Sequence, residues 1–469
     1  MAAISPLECL AHLKSYTIVH DPYSQKTYMS KVKVNENPNF FFEIGKSHTN
    51  QFIVEIIHDK YKVLLKDSEV KNLNGLVKFH CIKNEKYKHI NIRVCCHNNS
   101  IYIDMGNGTI RKITGSKHDL IEKSSVKFLS SISTGAMTEP DIKNADIELL
   151  HKHININDSN FKVLLVAILN AFFTDTPHVL IALTGMAGSG KSTKHGLLML
   201  LMDPSQNSLQ DQFRHPQDLV IAAQHSHVIG MNNVSNLSDA MQNQMCTILS
   251  GGVSSTRQLY SNDDQVTNRL HNPMIINGIG NVIDREDLLE RTILIPLKKI
   301  SKHVRKTEKE VLVSFQDDWP AIMGGVCDTL SKVLLLKQDF ETDEKLNRMA
   351  DYHQLGIMVE EILGWEPGSF TKDYNKNIAS AHGVVIDCSP LALALLVLED
   401  YELFPFEGTY SELLNLLKLH TNFTNMHPRK LTEELDRVRS ALLNQHNIKI
   451  TKLPRSNRGS CLSIKVISE

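Results

Sequence analysis

Residues 179–193 read VLIALTGMAGSGKST, and this stretch decides the fold. Val179 to Leu183 form a short apolar run of the kind that makes a buried parallel strand, and Lys191 to Met202 then predict a helix. The loop between them fits the pattern G-x-x-x-x-G-K-[ST] at every fixed position. A loop without bulky side chains lets successive backbone N–H groups face the oxygens of a triphosphate. The sequence therefore predicts a phosphate cradle at residues 185–192.

The residues of this loop have separate predicted roles toward ATP and Mg²⁺. Lys191 is placed to reach the β and γ phosphates, and the Ser192 hydroxyl to hold Mg²⁺. The alternative is a flexible glycine turn, but a position between an apolar strand and a helix favours the nucleotide site. The predicted ATP-binding residues are Gly185, Gly188, Ser189, Gly190, Lys191, Ser192 and Thr193.

Amide side chains follow the next two predicted strands, at the places where a P-loop ATPase needs an acid and a water-orienting group. The apolar run His227 to Met231 ends in Asn232 and Asn233, and Met274 to Ile276 ends in Asn277. An amide neither carries charge nor accepts a proton, so nucleotide binding is predicted more firmly than fast hydrolysis. Asn277 is a candidate sensor of the γ phosphate or orienter of the attacking water.

Two arginines flank a short acidic segment that precedes the fourth predicted strand. Arg285 or Arg291 is a candidate arginine finger, which neutralises charge on the transferring phosphoryl group, often across a subunit boundary. The alternative for each is a surface ion pair with Asp287 or Glu290. Both readings stay open at the level of sequence.

Composition and charge bound the class of protein. A chain of 469 residues with 42% hydrophobic and 22% charged residues has an ordinary globular composition, and its length predicts two to four folded units. A net charge of −1 argues against coating nucleic acid by bulk electrostatics, so nucleic-acid contact is expected at a local patch. The eight cysteines include no Cys-x-x-Cys pair, and no apolar run approaches the length of a membrane span. We therefore expect reduced thiols, a cytoplasmic location and no membrane contact.

The residue pattern changes along the chain and predicts four units. Helical spacing followed by alternation predicts an α+β domain and linker over residues 1–135, and Gly115 to Pro140 has the composition of a linker. Strands that alternate with helices predict an α/β unit over residues 141–300, with a parallel sheet covered on both faces. Residues 301–400 are helical in pattern, and residues 401–469 form the last unit.

The last unit has the pattern of a winged helix. Thr409 to Glu412 form a capping box before one helix, and Pro428 opens a second helix. Two alternating strands follow, Ile448 to Leu453 and Cys461 to Val466, and they make the wing. Its basic residues form the best predicted patch for duplex DNA. They are Arg429, Lys430, Arg437, Arg439, Arg455 and Arg458.

With these residues in hand, the chain resembles the AAA+ helicase-like ATP-binding proteins of phages and mobile elements, related to superfamily 3 and to poxvirus-type primase-helicases. The order and spacing of several motifs over nearly the whole chain carry this resemblance. The motifs are Ile101 to Gly106, the glycine-rich loop, Asn233 to Ala240, Gly251-Gly252, Thr256 to Tyr260, Asn277 to Ile279, Arg285 to Leu288, Arg291, Glu407 to Thr409 and the Pro428 to Val466 wing.

The resemblance implies an assembly and further site residues. It implies an AAA+ ATPase core over residues 141–300 and a homo-oligomer, commonly a hexameric ring, with nucleotide between subunits and a hairpin lining the central channel. Val253 to Asp264 is where that hairpin would fall, with Arg257 as its cation and Tyr260 to stack on a base. A solvated loop is the alternative reading. In the family the position of Asn232 is usually an aspartate. We expect no primase module here, because the first domain shows no paired carboxylates suited to two-metal nucleotidyl transfer.

These expectations leave three functions open. The leading interpretation is a nucleic-acid-stimulated ATPase that acts on single-stranded or forked DNA, as a helicase or replication motor of a mobile element. The second is an ATP-binding switch or scaffold in regulation or defence that does not turn nucleotide over, as Asn232 and Asn233 suggest. A nucleotide kinase is the third and weakest, because we find no acceptor-binding lid and it leaves the carboxy-terminal wing unexplained.

Overall fold

The structure is a computed structural model with a mixed α/β architecture. It describes residues 4–33, 38–131, 133–205, 209–257, 265–278, 282–283, 285–387, 389–421, 423, 427–456 and 459–467.

The amino-terminal region begins with three helices packed against an antiparallel sheet. Ser5 and Glu8 form a capping box that starts the first helix. An apolar cluster that includes Leu13, Ile53 and Val77 joins the helices to the sheet. The elements are α1 (Pro6–Leu13), β1 (Tyr16–Asp21), β2 (Lys26–Lys33), β3 (Phe40–Glu43), α2 (Ser47–Tyr61) and α3 (Asp67–Lys83).

A second antiparallel sheet follows, with its strands in chain order. It contains β4 (Val94–Cys96), β5 (Ile101–Asp104), β6 (Ile110–Ile113) and β7 (His118–Ile121). The next strand, β8 (Phe128–Leu129), pairs in parallel with β3 and so completes the first sheet. The prediction of a linker from Gly115 to Pro140 is therefore wrong, because β7 and β8 both lie in that segment and pair with strands. Two of the four residues of β7 are exposed, which agrees with the polar composition of the segment.

The central region is a five-stranded parallel sheet with helices on both faces, which confirms the predicted parallel sheet. The strand order is β10-β11-β14-β9-β15, and every pairing is parallel. Between β11 and β14 the chain forms a separate antiparallel hairpin, β12 with β13. The elements are α4 (Asp158–Asn170), β9 (Leu180–Thr184), α5 (Lys191–Met202), β10 (Gln210–Asp211), α6 (Pro216–Ala223), β11 (Ile229–Val234), α7 (Asp239–Leu249), β12 (Val253–Arg257), β13 (Gln265–Arg269), β14 (Met274–Gly278), α8 (Glu286–Leu289) and β15 (Thr292–Pro296).

The rest of the chain is helical and ends in a small antiparallel sheet of order β16-β18-β17. The capping box of Thr409 and Glu412 is present, as predicted. The elements are α9 (Glu308–Leu336), α10 (Ala350–Leu363), α11 (Ser369–Asp387), α12 (Pro390–Asp400), β16 (Phe406–Thr409), α13 (Tyr410–His420), α14 (Pro428–His446), β17 (Ile448–Ser456) and β18 (Gly459–Val466), and short 3₁₀ helices lie at Glu148–His153 and Lys302–Val304.

Two apolar clusters cover the two faces of the parallel sheet. Alternate residues of β9 divide between them: Ile181 and Leu183 pack with α4, α5, α9 and α10, whereas Leu180 and Ala182 pack with α6, α7 and the carboxy-terminal helices. This division follows the two-residue period of a strand, which sends successive side chains to opposite faces. The first cluster also takes in residues of β4 to β6. The boundaries of the four predicted units stay a prediction.

A buried ion pair ties the amino-terminal region to the central sheet. Arg93 Nε lies 2.8 Å from Asp203 Oδ1, and the guanidinium also donates to the carbonyls of Asp104 and Pro204. The second carboxylate oxygen of Asp203 accepts the backbone N–H groups of His227 and Val228, which lead into β11. Both carboxylate oxygens of Asp203 accept hydrogen bonds, and all three guanidinium nitrogens of Arg93 donate one. A buried ion pair is stable only with such additional hydrogen bonds.

One helix among the described residues, α9, is long and apolar enough to cross a membrane by length and composition. Its apolar window has a mean hydropathy of 1.2, and 61% of that window is buried inside the structure. Buried core helices pass the same test, so this is weak evidence for a membrane span.

Candidate functional site

The glycine-rich loop lies where β9 ends and α5 begins. Thr184 is the last residue of β9, and α5 starts at Lys191, as the sequence predicts. Gly190 caps the helix with a φ of +80°, and Gly188 has the same φ. This left-handed backbone strains residues that carry a Cβ, so glycine suits both positions. The loop therefore leaves its backbone open in front of the amino terminus of α5.

The chain that follows β15 holds this loop from one side. A Cβ on Gly185 would lie 2.9 Å from the Leu297 carbonyl, and one on Gly190 would lie 3.2 Å from Ile300. The Asn155 amide donates to the Ser189 carbonyl at 3.2 Å, and the same amide donates to the Lys298 carbonyl. These contacts of Leu297, Lys298, Ile300 and Asn155 restrict the position of the loop backbone on one side.

Lys191 folds back onto its own loop. Its ammonium Nζ donates to the carbonyls of Gly185 at 2.7 Å and Met186 at 3.2 Å. Burial lowers the pKa of this lysine. The positive charge is thus held over the loop by weak acceptors, which the oxygens of an anion can replace.

Ser192 and Asn232 meet across the edge of the sheet. Ser192 Oγ, in the first turn of α5, donates to Oδ1 of Asn232 on β11 at 2.9 Å. The pairing of β11 with β14 shifts register between Met231 and Val234, and Asn233 adopts a φ of +55°. Asparagine tolerates this left-handed conformation, and such an irregularity redirects the side chains around it. The structure therefore brings Ser192, the predicted Mg²⁺ ligand, into contact with Asn232, which lies where a P-loop ATPase usually has an acidic residue.

Asn277 is buried at the end of β14 and connects β11 to α5. Its Oδ1 accepts the backbone N–H of Asn233 at 3.0 Å, and its Nδ2 donates to Nδ1 of His195 at 2.8 Å. Burial lowers the pKa of His195 to about 3, so the ring is neutral and Nδ1 accepts. The sequence pattern did not single out His195, which lies one turn beyond Lys191 on the buried face of α5.

Arg291 lies at the amino ends of the strands, at the other edge of the sheet from the loop, and Arg285 precedes α8. The carbonyl of Arg291 accepts the N–H of Leu180 at the start of β9, and Nη1 forms an ion pair with Asp287 at 2.5 Å. Arg348 also pairs with Asp287. The backbone N–H of Arg285 donates to the Gln242 side chain. The length of β9, roughly 15 Å, separates the backbone of Arg291 from the loop of the same molecule.

Arg305 is a cation that the sequence reasoning missed. Its Nη2 donates to the Gly188 carbonyl at 3.4 Å. Lys194 is buried in the first turn of α5, and its pKa is lowered by burial and by Lys306. The available signal was the basic run at residues 298–306, which contains Lys298, Lys299, Lys302, Arg305 and Lys306.

The predicted nucleic-acid residues lie on two surfaces far apart in sequence, and only part of them is described. The backbone of Arg257 belongs to β12, and Lys430 is exposed on α14. Arg437 is engaged with Glu434 at 2.9 Å and Asp239 at 3.4 Å, so it joins α14 to α7. The Arg257, Arg429 and Arg455 side chains and the whole of Tyr260 and Arg458 lie outside the described residues.

The residues around the loop fit a magnesium-bound triphosphate. The described part of the chain has no group of three or more His, Cys, Asp or Glu residues able to hold a metal by themselves. Mg²⁺ bound with a nucleotide takes most of its ligands from phosphates and water and few from protein. The Ser192 hydroxyl and the Asn232 amide oxygen converge at the amino end of α5 and are suitable ligands or near-neighbours for it.

A cavity of about 830 Å³ lies at the opposite edge of the sheet. The amino-terminal region contributes Tyr23, Lys88 and His89 to its wall, and the segments that precede the strands contribute Gln224 and Asn272. None of residues 185–192 lines it. In parallel α/β sheets ligands bind outside the carboxyl ends of the strands, so this cavity is not the predicted phosphate cradle.

Comparisons with known proteins give one family match. No curated protein matches the chain. Three apo structures of the NrS-1 C terminal region are similar to it at 13%, 12% and 11% sequence identity, with TM-scores of 0.38, 0.41 and 0.42. The alignments cover 99%, 99% and 100% of this chain and 100% of each of those chains. Residues 147–367 match the model of the actinomycete integrative conjugative element replication protein, so this part of the chain is similar to that family.

Proposed function

We propose that this protein is a P-loop ATPase of the AAA+ type that works on DNA as a helicase or motor during replication of a mobile element. The observation that carries the proposal is the contact of Ser192 with Asn232 beside the glycine-rich loop. In the sheet, β9 lies between β14 and β15. The chain passes from β9 to β10 at one edge of the sheet, and later from β14 to β15 at the other edge. Ligands bind at such a switch of winding direction, outside the carboxyl ends of the strands.

ATP binding in this proposal uses groups that already surround the loop. The Lys191 ammonium leaves the Gly185 and Met186 carbonyls for the β and γ phosphates, which are stronger acceptors. The backbone N–H groups at the positive end of α5 would face the phosphates, whereas the Ser189 N–H donates to the Met186 carbonyl within the loop. Ser192 and Asn232 hold Mg²⁺, which when bound neutralises charge on the β and γ oxygens.

Hydrolysis needs a positioned water and further positive charge. Asn277 lies beside the end of β9, and its Oδ1 accepts the backbone N–H of Asn233, so it is the candidate to orient the attacking water. Arg291 lies too far from the loop of its own molecule, so it acts only on a nucleotide held by a neighbouring subunit, and Arg285 is the second candidate for this role. This requires a head-to-tail homo-oligomer such as a ring.

DNA contact in this proposal comes from two elements. The β12–β13 hairpin carries Arg257 toward a central channel, and α13, α14 and β16 to β18 form a winged helix with Lys430 exposed. Backbone contacts by lysine and arginine are sequence-independent and weaken as salt is raised. The family match over residues 147–367 supports a role in replication.

The test measures nucleotide binding and turnover in the purified full-length chain. We expect it to bind a fluorescent ATP analogue with Mg²⁺ and to hydrolyse ATP faster with single-stranded or forked DNA. Lys191→Ala should lose both activities, whereas Lys71→Ala, an exposed lysine of α3, should retain them. Failure of the wild-type chain to bind nucleotide would overturn the proposal. Turnover that ignores DNA, with no unwinding of a forked duplex, would remove the motor function.

A second candidate function is an ATP-dependent switch that does not turn nucleotide over. The favouring observation is that Asn232 presents an amide, not a carboxylate, to Ser192. Single-turnover hydrolysis separates the two functions. A chain that binds ATP and still holds unhydrolysed ATP after hours with DNA is a switch. Sizing the protein with and without ATP and single-stranded DNA then shows whether nucleotide drives assembly.

A further inference from the structure

The edge strand β10 places an acidic residue beside Asn232. β10 and β11 pair in parallel with Gln210 opposite Met231 and Asp211 opposite Asn232. The end of β10 is anchored, because the Gln212 side chain accepts the N–H of Ser235 at 3.1 Å. Neighbouring strands lie ~4.8 Å apart, so the Asp211 backbone is about that far from Asn232.

The two side chains point to the same face of the sheet. Asn232 faces α5, because its Oδ1 accepts Ser192 Oγ. Residues directly opposite in paired strands share a face, and Met231, opposite Gln210, packs in the cluster on the other face. The Asp211 carboxylate therefore lies on the α5 side, beside the group that touches Ser192.

The Asp211 carboxylate is available for a ligand. It is exposed, and its side chain makes no hydrogen bond or ion pair with the described residues around it. A charged residue on an exposed edge strand also prevents edge-to-edge pairing, and this is the competing explanation for an aspartate here. The position of Asp211 opposite Asn232 favours the ligand role, because prevention of edge-to-edge pairing does not depend on which residue lies opposite.

We propose that Asp211 supplies the acid that β11 lacks, by holding a water ligand of the Mg²⁺ that binds with the triphosphate at Ser192 and Asn232. The inference rests on the proposed function. Mg²⁺ keeps several of its waters in such sites, so a carboxylate acts on it without direct contact. A neighbouring strand thus takes over the task that Asn232 cannot perform.

The experiment titrates Mn²⁺ into the full-length chain with a non-hydrolysable ATP analogue and follows free Mn²⁺ by electron paramagnetic resonance. Asp211→Asn should weaken Mn²⁺ binding roughly tenfold, the usual loss when an outer partner of a metal site is removed. Binding of the analogue in excess EDTA should not change. Asp218→Asn, an exposed acid in the first turn of α6, is the matched control and should bind Mn²⁺ as wild type does.

A swap of the two residues provides the second arm. Asn232→Asp in the Asp211→Asn background should restore Mn²⁺ affinity, because the carboxylate returns on the adjacent strand. If Asp211→Asn binds Mn²⁺ like wild type, the inference is wrong, and the proposed function stands as long as Lys191→Ala still abolishes analogue binding. If the wild-type chain binds no analogue, both the inference and the proposed function are wrong.

Discussion

Asn277 donates a hydrogen bond of 2.8 Å from Nδ2 to Nδ1 of His195, inside the interface between β14 and α5. The backbone N–H of Asn233 fixes the orientation of the amide, because it donates to the other amide atom, Oδ1. A protonated ring carries hydrogen on Nδ1 and cannot accept from Nδ2. The link between β11, β14 and α5 therefore requires an uncharged His195.

This requirement predicts a loss of stability in acid. The pKa of His195 is about 3 in the folded chain, whereas an exposed histidine titrates near 6.5. Below pH 6.5 the His195 ring binds a proton in the unfolded chain, whereas in the folded chain it stays neutral down to about pH 3. The free energy of unfolding therefore falls as the pH falls. At pH 5 this one ring costs about 2 kcal/mol.

Denaturant unfolding of His195→Gln at several pH values measures that contribution. The variant should lose less stability than wild type between pH 7 and pH 5, whatever its stability at pH 7. His97→Gln, which replaces an exposed histidine, should keep the wild-type pH dependence. Identical slopes for wild type and His195→Gln would contradict a neutral, buried ring.

Local pattern was sufficient to predict the elements that carry the candidate site. The expected helix Lys191–Met202 has the observed bounds, and the preceding strand differs by one residue at each end, because an apolar run and glycines act locally. β10 and α6 were missed between residues 207 and 223. A two-residue strand such as β10 has no periodicity of its own and exists only through its pairing with β11.

The candidate site was predicted where it depends on strand ends and missed where it depends on tertiary packing. Asn232 and Asn277 follow apolar runs in sequence, so their meeting at one edge of a parallel sheet could be anticipated. The contacts of His195 with Asn277 and of Arg305 with Gly188 join separate elements, and no spacing in the chain encodes them. The roles of all these residues toward ATP stay predictions.

Gly190 is predicted to be essential to the shape of the loop. Gly190→Ala forces a residue with a Cβ into a φ of +80°, which costs about 1–2 kcal/mol, and brings that Cβ to 3.2 Å from Ile300. We expect weaker ATP-analogue binding and a lower unfolding midpoint. Gly75→Ala is the matched control: Gly75 lies within α3 with nothing within 4 Å of the added Cβ, so the variant should gain about 0.5–1 kcal/mol and bind normally.

The ion pair of Arg93 with Asp203 is predicted to hold the amino-terminal region on the central sheet. Arg93→Met leaves the Asp203 carboxylate buried without its partner, which costs about 3–5 kcal/mol. Thermal unfolding and limited proteolysis should both report the loss. Lys117→Met removes an exposed partner of Asp119 and should leave the unfolding midpoint nearly unchanged. A wild-type midpoint for Arg93→Met would show that the two regions do not depend on this contact.

Arg291 is predicted to act on nucleotide held by the adjacent subunit. Arg291→Ala should bind the ATP analogue but lose turnover, and Arg348→Ala, which removes another partner of Asp287, should retain turnover. Lys191→Ala subunits keep Arg291, and Arg291→Ala subunits keep a working loop, so neither alone hydrolyses ATP. An equal mixture should recover roughly a quarter of the wild-type rate, since a head-to-tail ring then contains some interfaces with both groups intact. If the mixture is no more active than its components, Arg291 does not complete a site across the interface, and its contacts with Asp287 and Ser250 have a structural role.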